Sequence, residues 1–215
     1  MSQTPLVRVM IMLACICWVL TAAAPAADVV DRVLASVCGR IVTLSDVRAA
    51  REFGLVPEDP GDPDSRVTLD RLINRILILD EVERYAPSEP ASADIRARFE
   101  AFRRRFSGND AFTAAMKTAG VDEATLTQWA RDDLRIDAYL NQRFASVVEP
   151  TGEDLERYVR EVDTEAERRG RTLQDNEVKR LARERAIGAR RQALIREWIE
   201  GLRRRTPISY TQADH

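Results

Sequence analysis

The segment SVCGRIVTLSDV, residues 36–47, decides the fold of this chain. Its first half alternates as a β-strand does, turns at Gly39 and continues as Ile41-Val42-Thr43, whereas nearly all of the later sequence has helical periodicity. An isolated pair of short strands is marginally stable in water. The segment therefore predicts a β-hairpin that needs a third partner from elsewhere in the chain.

A second strand-like run, TPISY at residues 206–210, lies near the other end of the sequence and contains the helix-stopping Pro207. We predict that Ile208-Ser209-Tyr210 lies beside RVLASV, residues 32–37, and so ties the preceding helix back to the N-terminal segment. Both faces of the RVLASV strand are mostly apolar, which favours burial on both sides. The predicted fold class is mainly α, a multi-helix lobe with a small β element made by the N-terminal hairpin and the C-terminal strand.

Helical periodicity and capping signals fill the region between the two strand-like segments. The segment 66–85 is the most hydrophobic and is expected at the centre of the core. A short helix is predicted to begin after Thr43 or Ser45 and to end near Gly54, and another is predicted to begin at Thr151. The remaining predicted helices span about 92–106, about 110–119 (ended by Gly120), about 122–148 and about 175–205.

The first 26 residues have the features of a cleavable export signal. Arg8 provides a positive charge, Val9 to Leu20 form an apolar run too short for a comfortable membrane span, and Ala24-Pro25-Ala26 fits a small-residue cleavage site. We predict cleavage after Ala26 and a periplasmic protein with no stable membrane insertion. The alternative is an uncleaved segment that anchors the chain.

Cleavage removes Cys15 and Cys17, so the mature chain keeps only Cys38 and has no internal disulfide. Its fold must rest on packing. A single cysteine on a strand is usually a small buried hydrophobe, and a reactive thiol is the open alternative. The predicted domains are a signal peptide (1–26), an N-terminal lobe (27–149), a short helical connector (150–177), and a long helix with a strand that completes the lobe (178–215).

Most classes of catalytic site lack their residues in this sequence. The only histidine is His215, the last residue, so a serine or cysteine nucleophile has no plausible histidine base. Cysteine and histidine ligands for zinc and a glycine-rich phosphate-binding motif are missing. The acidic loop 56–64 lacks the spacing of an EF-hand. We therefore predict no enzyme activity, no catalytic residue, no metal site and no cofactor.

Charged residues give no clear binding signal. Adjacent carboxylates occur at Asp132/Asp133 and Glu153/Asp154, but helix neighbours do not share a face, and we interpret them as solvated charge. Residues 177–205 carry ten basic groups against four acidic ones, net +6, although the whole chain is net −2. Export argues against nucleic acid as a partner, so we expect this helix to face solvent or the acid-rich residues 28–90.

Three segments together resemble one protein family. VCGRIVTLSDV, residues 37–47, resembles the V-N-G-x-x-I-T-x-S-D-V signature of SurA-type periplasmic chaperones, with Cys38 where the family usually has Asn. LDRLINRILILDEVERY, residues 69–85, is similar to the long helix that follows in that family. RRQALIREWIEGLRRRTPISY, residues 190–210, is similar to the helix and strand that complete the same lobe.

The resemblance implies both a fold and a function. Family members pair their N- and C-terminal strands and hold unfolded outer-membrane proteins in a helical cradle without ATP. Most insert one or two parvulin-type prolyl isomerase domains, whereas only 150–177 bridges the two parts here. The chain therefore looks like the chaperone core with the isomerase missing, and its expected partners are unfolded or partly folded envelope proteins.

A client-binding surface is expected to be apolar, flexible and flanked by charge. The candidate client-binding residues are Phe99, Phe102, Phe106, Phe112, Met116 and Trp129, next to the Arg103 to Arg105 run. Aromatic residues at helical spacing are also typical of a core, and that alternative stays open here. Of the six, Phe102 and Phe106 are the preferred pair.

Two other functions remain open at this point. The chain is alternatively a non-catalytic adaptor or structural protein that docks one folded envelope partner, such as a separate isomerase or an assembly machine. A prolyl isomerase that uses unfamiliar residues is the third. Exchange of the long C-terminal helix between two copies is a conceivable route to a homodimer.

Overall fold

A computed structural model describes residues 31–57, 66–85, 87–146 and 150–211. The predicted signal peptide, most of the acidic loop and His215 lie outside these ranges. The elements in chain order are β1 (Val33–Val37), β2 (Arg40–Thr43), α1 (Leu44–Glu52), α2 (Arg66–Tyr85), α3 (Ser92–Arg103), α4 (Asn109–Ala119), α5 (Glu123–Arg143), α6 (Gly152–Arg168), α7 (Asp175–Arg205) and β3 (Ile208–Tyr210). The prediction of a mainly helical fold with a small β element is confirmed.

The three strands form one antiparallel sheet in the order β2-β1-β3. Val37 lies opposite Ile208 and Ser36 opposite Ser209, so the predicted pairing of the two chain ends is confirmed. The Thr211 amide also donates to the Leu34 carbonyl at 3.0 Å, which extends the ladder by one residue. Because antiparallel ladders bond through alternate residues, the main chain of Ser36 faces β3.

A two-residue turn joins β1 to β2. Cys38 has φ +50° and Gly39 has φ +71°, and Val37 pairs directly with Arg40. Two consecutive positive φ values define a type I′ turn, whose twist matches that of the flanking strands. Gly39 adopts this conformation without a steric penalty, but Cys38 does not, because of its Cβ atom.

Side-chain caps define several helix ends, as the sequence predicts. Thr43 and Asp46 form a reciprocal capping box at α1, with the Thr43 amide 2.8 Å from the Asp46 carboxylate. The Asp122 carboxylate accepts from the Thr125 amide at 2.8 Å at the start of α5. Thr151 caps α6 in the same way, and Gly120 ends α4 in the left-handed conformation.

Helix α2 is the centre of the lobe. One side of it packs against the sheet and α1, and Leu202 from α7 closes the same core. A second side packs against α5 and against Trp198 of α7. The buried apolar residues of α2 are Leu72, Ile73, Leu77, Ile78, Leu79 and Val82. Burial on more than one side explains why its apolar positions exceed a single stripe.

Helix α7 belongs to two packing units. Its C-terminal half packs on α2, where Arg203 donates to Asp70 at 3.0 Å and Arg205 to Glu81 at 3.4 Å. Its N-terminal half packs on α6 around a small separate core of Val162, Val178 and Ala182. Helix α6 packs chiefly against α7, and we call this pair of helices the helical hairpin.

Two helices end earlier than predicted. Helix α3 ends at Arg103 instead of near Phe106, and α5 ends at Arg143 instead of near Val148. In both cases an aromatic residue leaves the helix to pack elsewhere: Phe106 lies 5.4 Å from the Phe53 ring centroid, and Phe144 lies 5.8 Å from that of Trp198. Within the described ranges, no helix is both long and apolar enough to cross a membrane.

Candidate functional site

Five phenylalanines form an aromatic cluster between α1, α3 and α4. Phe53, at the end of α1, lies 5.4 Å from Phe106 and 6.0 Å from Phe112, measured between ring centroids. Phe99 and Phe106 approach Phe112 at 6.0 Å and 5.6 Å, both edge to face. This edge-to-face geometry is the favourable arrangement for aromatic rings. Phe102 completes the cluster.

The structure brings the six predicted client-binding residues together but does not expose them equally. Phe102 and Phe112 are buried, so a client reaches neither of them unless the cluster opens. Phe99, Phe106, Met116 and Trp129 are half-buried around them. Phe102 therefore belongs to the core in this conformation, and of the preferred pair only Phe106 has a partly accessible side chain.

Sequence reasoning missed Phe53, which is fully buried at the centre of the aromatic cluster. It follows a short helix and precedes Gly54, so its sequence context indicates only a helix end. The guanidinium of Arg105 covers Gly54 so closely that a Cβ atom there would lie 2.5 Å from it. A side chain at Gly54 would therefore displace the Arg105 guanidinium, and the φ of +64° at this position also favours glycine.

Trp129 lies between the aromatic cluster and a small pocket at the edge of the sheet. This edge pocket has a volume of about 180 Å³. Its apolar walls come from β2, the residues after α1, α2 and α5: Ile41, Val42, Leu55, Leu72, Ile76 and Trp129. Arg40, Asp46 and Arg75 complete its lining. An apolar cavity of about 150 Å³ is large enough for benzene, so the edge pocket can accept one large apolar side chain.

The edge pocket lies directly beside an open strand edge. Strand β2 is at the edge of the sheet, and Ile41 is 61% exposed. Arg40 and Val42 face β1, so by alternation the amide and carbonyl of Ile41 point outward. They have no hydrogen-bond partner among the described residues. The Thr43 amide is not available in the same way, because Asp46 accepts from it.

Charged side chains behind the edge pocket are paired with one another. Arg75 donates to the Asp133 carboxylate and to the Trp129 carbonyl, the latter at 3.1 Å. Arg98 donates to the same Asp133 at 3.2 Å and to Asp137 at 2.8 Å. These ion pairs fix α5, and with it Trp129, against α2 and α3. Arg75, a polar residue of the pocket wall, is therefore held in place by contacts within the protein.

The interpretation of Asp132 and Asp133 as solvated charge is wrong. Each side chain is only 14% exposed. They point to different partners, since Asp133 pairs with Arg75 whereas Asp132 accepts from Gln128 at 2.8 Å. Burial raises the pKa of the Asp132 carboxyl above its usual range, and the positive charge of Arg75 partly offsets this.

Among the described residues, no three Asp, Glu, Cys or His side chains converge as a metal site would require. The edge pocket offers apolar walls and an unpaired strand edge, which together can hold an extended polypeptide segment. No protein-family model matches the chain, and no curated protein matches it either.

Proposed function

We propose that the protein is an ATP-independent chaperone that holds extended segments of unfolded envelope proteins. The observation that carries the proposal is the edge pocket beside the outward main chain of Ile41. An unfolded chain offers both features that this site would bind: unpaired backbone groups and exposed apolar side chains. The resemblance to SurA-type chaperones and the export signal expected from the sequence point in the same direction.

The expected strength of such binding suits a chaperone that must release its client. One large apolar side chain transferred from water contributes about 1.5–3 kcal/mol, and one backbone hydrogen bond contributes about 1 kcal/mol net. A single short contact of this kind is weak, so tight holding requires several segments or a larger surface. The half-buried residues Phe99, Phe106 and Met116 would supply that additional surface if the aromatic cluster opens.

Suppression of aggregation tests the proposal. A urea-denatured outer-membrane β-barrel protein is diluted into buffer with increasing amounts of the mature protein, and light scattering is recorded. We expect suppression near a one-to-one ratio. Ile41→Glu should require about fivefold more protein for the same effect, since it places a charge at the mouth of the edge pocket.

Val33→Glu is the matched control, because Val33 is 37% exposed on the same sheet but does not line the edge pocket. It should suppress aggregation as well as the unmodified protein does. Circular dichroism verifies that both variants are folded. If the unmodified protein does not suppress aggregation at any ratio, the chaperone proposal fails. A pull-down with one stoichiometric folded partner and no preference for unfolded chains would favour the adaptor function instead.

A further inference from the structure

A large groove lies on the helical hairpin, far in sequence from the edge pocket. It has a volume of about 650 Å³ and lies between α6 and α7. Leu155 and Val159 of α6 form its apolar floor, and both are half-buried. Because α6 packs chiefly against α7, this groove is open along a helix pair that the rest of the lobe leaves uncovered.

Positive charge surrounds the apolar floor. Arg160 comes from α6, and Lys179, Arg180 and Arg183 come from α7, whereas Glu156 is the only carboxylate in the lining. A positively charged groove is unexpected beside α6, because this helix carries seven acidic and three basic groups and is net −4. Most of the acidic groups of α6 lie outside the groove, which is left net positive.

Two cations of the groove, Lys179 and Arg180, make exposed pairs along their own helix. Lys179 contacts Asp175 at 2.6 Å and Arg180 contacts Glu184 at 2.8 Å, and all four side chains are more than half exposed. Exposed i,i+4 pairs of this kind contribute only a few tenths of a kcal/mol, so an incoming carboxylate can replace them at little cost. Arg183 also has a partner within the chain.

We propose that this groove is a docking site for an acidic amphipathic helix of a partner protein. The aliphatic side chains of the docked helix would cover Leu155 and Val159. The carboxylates of the docked helix would pair with Arg160, Lys179 and Arg180. The net positive rim selects an acidic partner over a basic one, and the groove between two helices fits the apolar stripe of a third helix. This site is independent of the edge pocket, so the inference does not rest on the chaperone proposal.

An anionic membrane is also a partner for a surface that combines positive charge with apolar residues, but a membrane is flat. Helices that lie on membranes present their apolar residues outward on a convex face. Leu155 and Val159 instead lie half-buried in a groove between two helices, which matches the apolar stripe of a docked helix. The geometry therefore favours a peptide.

Peptide binding by fluorescence anisotropy tests the site on the full mature protein. The probe is a labelled peptide of about 18 residues, with Leu at i, i+3, i+4 and i+7 spacing and Glu and Ala elsewhere. We expect saturable binding that weakens with added salt. A peptide with Lys in place of Glu, and another with Ala in place of Leu, should each bind at least about tenfold more weakly.

The only two lysines of the chain give a matched pair of variants. Lys179→Glu changes the groove, whereas Lys117→Glu makes the same change at an exposed position of α4. We expect about fivefold weaker peptide binding for Lys179→Glu and no change for Lys117→Glu. Circular dichroism shows that both variants remain helical.

Three results would overturn the proposal. The first is that the acidic peptide does not bind, or binds equally well without its leucines. The second is that Lys117→Glu and Lys179→Glu weaken binding equally. The third is that the protein binds phosphatidylglycerol vesicles, but not phosphatidylcholine vesicles, through Lys179 while ignoring the peptide. None of these results bears on the suppression of aggregation, which tests the edge pocket.

Discussion

Cys38 combines an unfavourable backbone conformation with a partly buried side chain. Its φ of +50° is one that Asn and Gly adopt much more readily. Burial raises the pKa of the Cys38 thiol, and the negative charge of Asp80 adds to this. The thiol therefore stays protonated near neutral pH. It acts as a small apolar group packed against the core that α2 forms with the sheet and α1, which we call the lobe core.

We expect Cys38→Asn to raise the free energy of unfolding by about 0.5–1 kcal/mol, because Asn tolerates the left-handed conformation of a type I′ turn. Cys38→Val should lower it by about 1–2 kcal/mol, since a β-branched side chain is strained there. Urea denaturation at pH 7 measures both changes. Cys38→Ala controls for the loss of the sulfur atom, and an Asn variant less stable than the Ala variant would contradict this explanation.

The stability of the protein should respond differently to loss of charge at the two neighbouring aspartates of α5. Asp133→Asn leaves Arg75, itself 11% exposed, without its main counter-charge, and we expect a loss of about 3 kcal/mol. Asp132→Asn should leave stability unchanged within about 0.5 kcal/mol or raise it. The reason is that burial already disfavours the charged form of Asp132, and Asn still accepts from Gln128. Urea denaturation of both variants at pH 7 gives the comparison.

The pH dependence distinguishes this explanation from a simple packing effect. Because the pKa of Asp132 is raised, the folded state holds its proton more tightly than the unfolded chain does. The stability that this tighter proton binding contributes is therefore fully present at pH values below the pKa of Asp132 in the unfolded chain. It is lost as the pH rises through the pKa of Asp132 in the folded protein. Any advantage of Asp132→Asn should shrink as the pH falls from 7 toward 4. An equal loss for the two Asn variants at pH 7 would contradict this reasoning.

At the scale of helices and strands, local signals predicted the elements well. Helix α2 has the predicted bounds because its apolar residues repeat over 20 positions. The caps at Thr43 and Asp122 and the end of α4 at Gly120 follow from short-range chemistry that sequence displays directly. The pairing of β3 with β1 was predictable because a two-stranded hairpin requires further support.

The contacts between elements were harder to predict. Phe53 and Phe102 become core residues only because α1, α3 and α4 converge, and spacing within one helix does not contain that information. The same holds for Asp133, whose burial depends on Arg75, 58 residues away in the sequence. The edge pocket could not be predicted for the same reason, since its walls come from four separate parts of the chain.

The β1–β3 pairing should depend on the Ser209 amide. The alternation fixed by the Thr211 to Leu34 hydrogen bond directs this amide toward Ser36. Ser209→Pro removes the donor and should cost about 2 kcal/mol, whereas Ser209→Ala should cost less than about 0.5 kcal/mol because the side chain is exposed. Thermal unfolding of the two variants measures the difference, and equal melting temperatures would show that β3 adds nothing to the fold.

On the scale of the whole molecule, α7 connects two cores of very different size. Leu202 at one end of the helix packs against the sheet and α2, and Val162 packs against the other end within the helical hairpin. Among the described residues, three buried ones form the hairpin core, whereas ten form the lobe core adjoining the sheet. A small core stabilises its unit less, so we expect the hairpin to open without global unfolding.

Hydrogen exchange on two variants, each with one substitution in one of the cores, can show whether the helical hairpin opens separately from the rest of the protein. Val162→Ala should destabilise the hairpin by about 1–2 kcal/mol, and amide exchange should accelerate in α6 and the first half of α7 while β1 and α2 keep their protection. Leu202→Ala removes a larger side chain from the lobe core, should cost about 3 kcal/mol, and should accelerate exchange in β1, α2 and β3. Because a continuous α7 joins the units, faster exchange throughout the chain in Val162→Ala would instead mean that the protein unfolds as one cooperative body.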